Sequence, residues 1–177
     1  MPHNNFGEIR IPDDRIATWK KRFPDSFEPS SAQLTFAIRA LAQRINDHAN
    51  EWLAPFDLTA KKFNYLATVC SDEGAGMTIL ELGSLVHTSS GTVTTMINAL
   101  ERDGLVRRSV NRDDGRSVRI RATKKGHRVI ERAWPVHHSN IEDMVADLSL
   151  KERDGLLATL ISLGEKLTEA KADETHP

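Results

Sequence analysis

Apolar positions along this chain recur at steps of three and four residues over most of its length. This helical spacing covers about residues 31–54 and 59–70, then four later segments that end near residues 86, 103, 147 and 170. It predicts amphipathic helices. Between residues 105 and 120 the apolar residues alternate with polar ones instead, which predicts two short strands. The chain is therefore predicted to be mostly α (α+β), with one hairpin.

Capping residues indicate where several of these helices begin. Three pairs have the spacing of a capping box, namely Ser30 with Gln33, Thr78 with Glu81, and Ser149 with Glu152. A short helix is also predicted over Asp13–Lys20, with an aspartate as its cap. In the short helix after Thr78, the side chains of Ile79, Leu82 and Leu85 are predicted to face inward.

The segment 77–121 combines this short helix, a polar turn, a second helix and the hairpin. In the second helix, one side is apolar and is predicted to pack on the preceding helices through Val93, Met96, Ile97 and Leu100. The other side and the helix start carry small polar residues, namely Ser89, Ser90, Gly91, Thr92, Thr94, Thr95 and Asn98. Small side chains allow close approach to phosphates and base edges, and the free amides of a helix N-terminus suit a phosphate.

This polar set predicts a helix that enters a DNA groove, where Asn98 has the groups for a bidentate contact with adenine. The alternative is an ordinary amphipathic helix whose solvent-facing side happens to be rich in hydroxyls. That alternative is disfavoured because alanine, glutamate and lysine are better residues for exposed helix positions.

Charge is distributed unevenly along the chain. The whole chain has a net charge of −1, yet residues 101–132 hold eleven Lys and Arg against five Asp and Glu, a net charge of +6. A cationic segment on an acidic remainder favours double-stranded DNA as partner, with solvated surface charge as the alternative. Near the hairpin tip, Arg112 and Arg116 suit the narrow minor groove, and Asp114 suits a pairing that holds the loop's shape.

Composition excludes several classes of protein. With 177 residues, 39% of them hydrophobic and 28% charged, the chain can bury an ordinary core. No apolar run approaches the roughly 18–20 residues that span a bilayer, and the N-terminus lacks a secretory signal. The single cysteine, Cys70, suits a reducing compartment and is predicted to be a small buried hydrophobe. A cytoplasmic protein without a membrane partner is expected.

Catalytic and metal-binding patterns are missing from the sequence. There is no nucleophile–base pair, phosphate loop or paired carboxylate that would suggest an enzyme. His138 and Glu142 lie one helical turn apart, but they would supply only two metal ligands. No catalytic residue, metal or cofactor is therefore expected.

The chain resembles the MarR family of bacterial regulators, specifically over residues 58–127 and by helix order over about 31–170. The residues that carry the resemblance are Glu81-Leu82, Ser90-Gly91-Thr92-Val93-Thr94, Leu100-Glu101, Gly104-Leu105-Val106-Arg107-Arg108, Asp114-Gly115-Arg116-Ser117 and Thr123-Lys124-Lys125-Gly126. Asp114 and Arg116 match the family's wing motif. Ala122 is a departure, since the family usually has leucine there.

The resemblance implies a homodimeric winged helix-turn-helix regulator, here expected to be a repressor that binds a pseudo-palindromic operator. It also implies that the N- and C-terminal helices form the dimer. The expected segments are an arm (1–30), an N-terminal dimerisation helix (31–57), a DNA-binding domain (58–122), C-terminal dimerisation helices (123–171) and a tail (172–177).

Regulation by a small aromatic or phenolic effector, bound between the dimerisation helices and the DNA-binding unit, is a further implication of the resemblance. The residues suited to such a ligand-binding site are Trp19, Arg44, His48, Trp52, Tyr65 and His87. Core packing is the alternative role for Trp52 and Tyr65. For the whole chain, the alternative is a ligand- or partner-binding dimer without sequence-specific DNA recognition.

Overall fold

The computed structural model describes residues 9–72, 74, 76–110 and 118–173. Its elements in chain order are α1 (Asp13–Arg22), α2 (Pro29–Leu53), a 3₁₀ turn (Ala54–Phe56), α3 (Ala60–Cys70), α4 (Ile79–Leu85), α5 (Ser90–Arg102), β1 (Val106–Val110), β2 (Val118–Ala122), α6 (Lys124–Met144) and α7 (Leu150–Asp173). The two strands pair antiparallel. The predicted fold class, mostly helical with one hairpin, is confirmed.

The chain divides into two compact units, Met1–Trp134 and Pro135–Pro177. The core of the first unit lies among α3, α4, α5 and the hairpin. Its fully buried side chains include Phe63, Leu66, Val69, Leu82, Val93, Ile97, Leu100, Val106 and Ile120. In the second unit, the start of α7 carries the predicted capping box, since Ser149 donates its backbone N–H to Glu152 at 2.8 Å and its Oγ accepts from the backbone N–H of Glu152 at 3.4 Å.

The base of the hairpin is bonded to the segment that precedes α4. Met77 and Ile120 exchange backbone hydrogen bonds of 3.0 and 2.7 Å. Arg119 on β2 adds two contacts from its Nη1, one to the backbone oxygen of Gly76 at 2.9 Å and one to the carboxylate of Glu81 at 3.3 Å. Backbone bonds and an ion pair therefore join the hairpin to the helix pair.

The predicted capping box of α4 is confirmed, but the inward position of Leu85 is wrong. The Thr78 hydroxyl accepts from the backbone N–H of Glu81, and the Glu81 carboxylate accepts from that of Thr78. Leu85 is 57% exposed. At 3.6 residues per turn, the buried side of α4 runs through Leu82 and Gly83 to Val86, and Leu85 lies about 100° from Val86.

The first two helices begin differently from the sequence prediction. At α1 the N-cap is Pro12, with Asp13 and Asp14 inside the first turn, so the aspartate cap was wrong. At α2 the cap is Glu28 rather than Ser30, because the Glu28 carboxylate reaches the free amides of the first turn. A carboxylate can satisfy these amides as well as a hydroxyl can.

Gln33 lacks the predicted capping role because it binds the N-terminal arm. Its Oε1 accepts from the backbone N–H of Ile11 at 2.9 Å, and its Nε2 donates to the backbone oxygen of Ile11 at 2.9 Å. The Ile11 side chain is only 5% exposed. These contacts attach the arm to α2.

Glu28→Gln is expected to lower the melting temperature at neutral pH and to have no effect near pH 2. Hydrogen bonds from the backbone of Ser31 and from Ser30 hold the pKa of Glu28 at about 2, against 4.5 for an ordinary glutamate. Because the pKa is lower in the folded state, the stabilisation is present above about pH 4.5 and is lost as the pH falls towards 2.

Thermal melts of both proteins between about pH 2 and pH 7 test this expectation. Glu165→Gln, in an exposed part of α7, is the control for the loss of one carboxylate. A difference between wild type and Glu28→Gln that stays constant over the whole pH range would contradict the capping role.

Cys70 ends α3 in a half-buried position. Burial, and after it the charge of Glu131, raises the pKa of the thiol to about 11. The thiol is therefore protonated and weakly nucleophilic at neutral pH, which agrees with a packing role.

The described helices include none that is both long and apolar enough to span a membrane. Within the same residues, no cluster of three or more His, Cys, Asp or Glu side chains is placed to hold a metal ion.

Candidate nucleic-acid interface

Helix α5 has a buried apolar side and an exposed polar side, as predicted. Val93, Ile97 and Leu100 are fully buried, and Met96 packs partly buried against the same core. The predicted DNA-contacting residues Ser89, Ser90, Gly91, Thr94, Thr95 and Asn98 are exposed. The burial of the apolar side fixes the direction in which the polar side faces.

Two of the predicted contact residues build the start of the helix. The Ser89 Oγ accepts from the backbone N–H of Thr92 at 3.4 Å and lies 3.1 Å from the Thr92 hydroxyl. His87, with a φ of 50°, turns the chain between α4 and α5. The remaining free amides of the first turn, near Ser90 and Gly91, are suited to an anion such as a phosphate.

Two threonines on the exposed side use their hydroxyl hydrogens within the helix. Thr94 donates to the backbone oxygen of Ser90 at 2.9 Å, and Thr95 donates to that of Gly91 at 3.1 Å. Outward, both side chains therefore offer oxygen lone pairs and methyl groups. In a major groove these groups match base amino groups and the thymine methyl.

Arg108, on β1, connects the hairpin to the exposed side of α5. Its Nη2 donates to the Asn98 Oδ1 at 2.7 Å, and its Nη1 contacts the Glu101 carboxylate. Its backbone N–H also donates to Glu101, at 3.1 Å. Sequence reasoning did not assign this role to Arg108, because the three side chains lie on two elements and come together only in the folded hairpin.

The other end of α5 is held by lysines. Lys62 on α3 forms an ion pair of 2.6 Å with the Asp103 carboxylate, and Lys125 on α6 donates to the Asp103 backbone oxygen at 2.8 Å. Gly104 then leaves the helix with a φ of +72°, a left-handed conformation that suits glycine at a helix end. Within the basic segment 101–132, the side chains of Arg108, Arg119 and Lys125 thus bind protein atoms.

The predicted wing-tip residues Arg112, Asp114 and Arg116 belong to residues 111–117, outside the described part of the chain. Their role in the minor groove stays a prediction. The strand ends that lead to them are described, with Val110 opposite Val118.

The candidate effector residues lie on several elements. Tyr65 belongs to the core, 3% exposed, and its hydroxyl has no hydrogen-bond partner among the described residues. Trp52 is half-buried against the same core. His87 is exposed in the turn before α5. Core packing, the alternative role weighed for Trp52 and Tyr65, agrees with these positions.

The other three candidates lie on α1 and α2. Trp19 packs edge-to-face on Phe27 with 5.7 Å between ring centroids. His48 is exposed, with its Nδ1 3.4 Å from the Glu51 carboxylate. Arg44 lines a cavity of about 510 Å³ together with residues 9–13 of the arm. Of the six candidates, Arg44 is the one that lines this cavity, and the effector site stays a prediction.

A short helix, a turn, an exposed polar second helix and an antiparallel hairpin together define a winged helix-turn-helix DNA-binding protein. The model of the MarR family matches residues 58–118. Among curated proteins, the chain is 32% identical over 152 residues to the HTH-type transcriptional regulator TtmR of Methylorubrum extorquens, covering 86% of this chain and 75% of that protein. It is 25% identical over 146 residues to the HTH-type transcriptional repressor YetL of Bacillus subtilis, covering 82% and 87%.

Solved structures show the same fold. The Staphylococcus aureus MepR–DNA complex superposes with a TM-score of 0.70 at 22% identity, over 75% of this chain and 95% of that one. A mutant MarR of Escherichia coli complexed with operator DNA gives a TM-score of 0.64 at 25% identity, over 84% and 96%. The chain belongs to the MarR family. It is a transcription regulator with a DNA-binding fold and not an enzyme.

Proposed function

We propose that this regulator is a homodimeric repressor that binds a pseudo-palindromic operator, with α5 in the major groove and the hairpin tip in the flanking minor groove. The observation that carries the proposal is the division of α5, whose apolar side is buried while its small polar side faces solvent. The similar folds include proteins in complex with DNA, and the YetL relative is named a repressor.

Exposed apolar side chains support the homodimer. On α7, Leu156, Leu157, Leu160 and Ile161 are each between 51% and 57% exposed in the single chain. On α2, Leu34 is 54% exposed. A row of exposed leucine and isoleucine side chains is unfavourable in water, and a symmetric interface with a second copy would bury it.

A small aromatic or phenolic acid is the proposed class of effector. Arg44, in the cavity beside the arm, is the side chain suited to its carboxylate. Such an effector would act by binding the DNA-competent and DNA-incompetent dimers with different affinities.

Selection of DNA from a random duplex library by the purified chain tests the proposed DNA recognition. The expected product is an inverted repeat whose half-site centres lie about 34 Å apart, one helical turn. If no sequence is enriched, and micromolar protein also fails to shift random duplex at low salt, a ligand- or partner-binding dimer without DNA recognition is favoured instead.

In vitro transcription tests the direction of regulation. A promoter that overlaps the selected operator is expected to give less transcript as the protein is added. An increase in transcript would show that the protein is an activator. That result would contradict the proposed repression but not the proposed operator binding.

A further inference from the structure

We infer that Asn98 reads a guanine with its amide nitrogen, because Arg108 already holds its carbonyl oxygen. The inference rests on the proposed function, in which α5 enters the major groove. It names Arg108 as the residue that sets the hydrogen-bonding character of Asn98.

The orientation of the Asn98 carboxamide follows from the chemistry of its partner. A guanidinium group has only donors, so the atom that lies 2.7 Å from the Arg108 Nη2 must be the oxygen. The guanidinium is itself fixed, because the Glu101 carboxylate binds both its Nη1 and the backbone N–H of Arg108. One lone pair of the Asn98 oxygen is thus taken by Arg108, whose positive charge disfavours a second donor, such as an adenine amino group, beside that oxygen. The amide nitrogen is the group that remains for DNA.

The two purines place different groups beside such a nitrogen. Adenine presents the N7 acceptor next to the N6 amino donor, so its bidentate contact needs both the oxygen and the nitrogen of an asparagine. Guanine presents two adjacent acceptors, N7 and O6. An asparagine that contacts the base through its amide nitrogen therefore matches guanine, where the NH2 group meets two acceptors. Beside adenine the same NH2 group finds one acceptor, N7, and lies next to the N6 amino donor.

Neighbouring residues on α5 complement this role. The hydroxyl hydrogens of Thr94 and Thr95 are used within the helix, so these side chains offer acceptors outward. Asn98, one turn further along the same exposed side, offers donors. The polar side of α5 thus has acceptors at Thr94 and Thr95 and a donor about one turn later, at Asn98.

The first test compares the operator selected by wild type with the sequences selected by Asn98→Asp and Asn98→Ala. Asn98→Asp keeps an oxygen for Arg108, and the fold with it, but lacks the donor. In the sequences selected by wild type, one position of each half-site is expected to be a G·C pair. In the sequences selected by both variants, the preference for guanine at that position is expected to be lost. Replacing that guanine by 7-deazaguanine is expected to weaken wild-type binding about threefold to tenfold and to leave Asn98→Ala unchanged.

The second test concerns Arg108 as a positioning residue. Arg108→Met releases the Asn98 oxygen, so the preference at that position is expected to shift from guanine towards adenine. Arg107→Met, the same change at the exposed neighbouring residue of β1, is the matched control and is expected to keep the guanine. If Arg108→Met does not fold, the 7-deazaguanine comparison decides.

The selected sequences distinguish a failure of the guanine inference from a failure of the proposed function. An A·T pair at the Asn98-dependent position, or a motif that Asn98→Ala leaves unchanged, overturns the guanine inference alone. A library without any enriched sequence overturns the proposed function and this inference with it.

Discussion

A glutamate in place of Gly91 is expected to weaken operator binding by about 100-fold or more while the fold stays intact. Gly91 lies exposed in the first turn of α5, and a Cβ there meets no atom within 4 Å. A carboxylate near a helix N-terminus favours the helix. At this position, however, the carboxylate would occupy the site proposed for a DNA phosphate. Repulsion between the carboxylate and the DNA phosphates would cost several kcal/mol. Fluorescence anisotropy of labelled operator measures the operator affinity, and thermal melting followed by circular dichroism tests whether the fold stays intact.

Gly91→Gln is the matched control for side-chain size without charge. It is expected to lose much less affinity than Gly91→Glu, and the gap between the two should narrow as salt is raised. Equal losses for both variants would assign the effect to steric exclusion. Unchanged affinity in Gly91→Glu would contradict the placement of the α5 N-terminus against DNA.

Alanine in place of Gly126 is expected to lower the free energy of unfolding by about 3 kcal/mol, equivalent to roughly 6–12 °C in melting temperature. Gly126 is buried in the first turn of α6, and a Cβ there would lie 2.2 Å from the backbone oxygen of Leu105. That oxygen accepts from the backbone N–H of Thr123 at 2.9 Å. The start of α6 and the backbone at Leu105 cannot move apart without loss of this hydrogen bond.

Gly155→Ala is the control for the general effect of adding a methyl group to a helical glycine. A Cβ at Gly155 meets no atom within 4 Å, so this variant is expected to be unchanged or stabilised by up to about 1 kcal/mol. Both variants are melted at one protein concentration, because association would otherwise shift the midpoint. If Gly126→Ala is no less stable than Gly155→Ala, the close approach of α6 to Leu105 is wrong.

Features set by nearby residues were predictable from the sequence. The capping boxes at Thr78 and Ser149 each need only four consecutive residues, and both occur in the structure. The buried side of α5 follows from the periodic placement of Val93, Ile97 and Leu100. A regular spacing of apolar residues gives the direction of a whole helix face, so the side proposed for DNA was predictable as well.

Features that depend on distant residues were not predictable. Gln33 has the spacing of a capping residue, but its partner Ile11 is 22 positions away in the chain. Arg108 was counted among the cations of the basic segment, yet it binds Glu101 and Asn98 across the turn at Gly104. Sequence spacing reports which groups are available, whereas the fold decides which partner each group meets.

The contacts between the hairpin base and the helix pair have a mechanical consequence. The Met77–Ile120 backbone bonds, the Arg119–Glu81 ion pair and the Arg108–Glu101 contact cross-link α4, α5 and both strands. Bending this assembly would break several of these contacts together, so it behaves as one stiff body. In the proposed homodimer, an effector would therefore act at the lowest energetic cost by changing the separation or rotation of the two bodies, since deforming either one costs more.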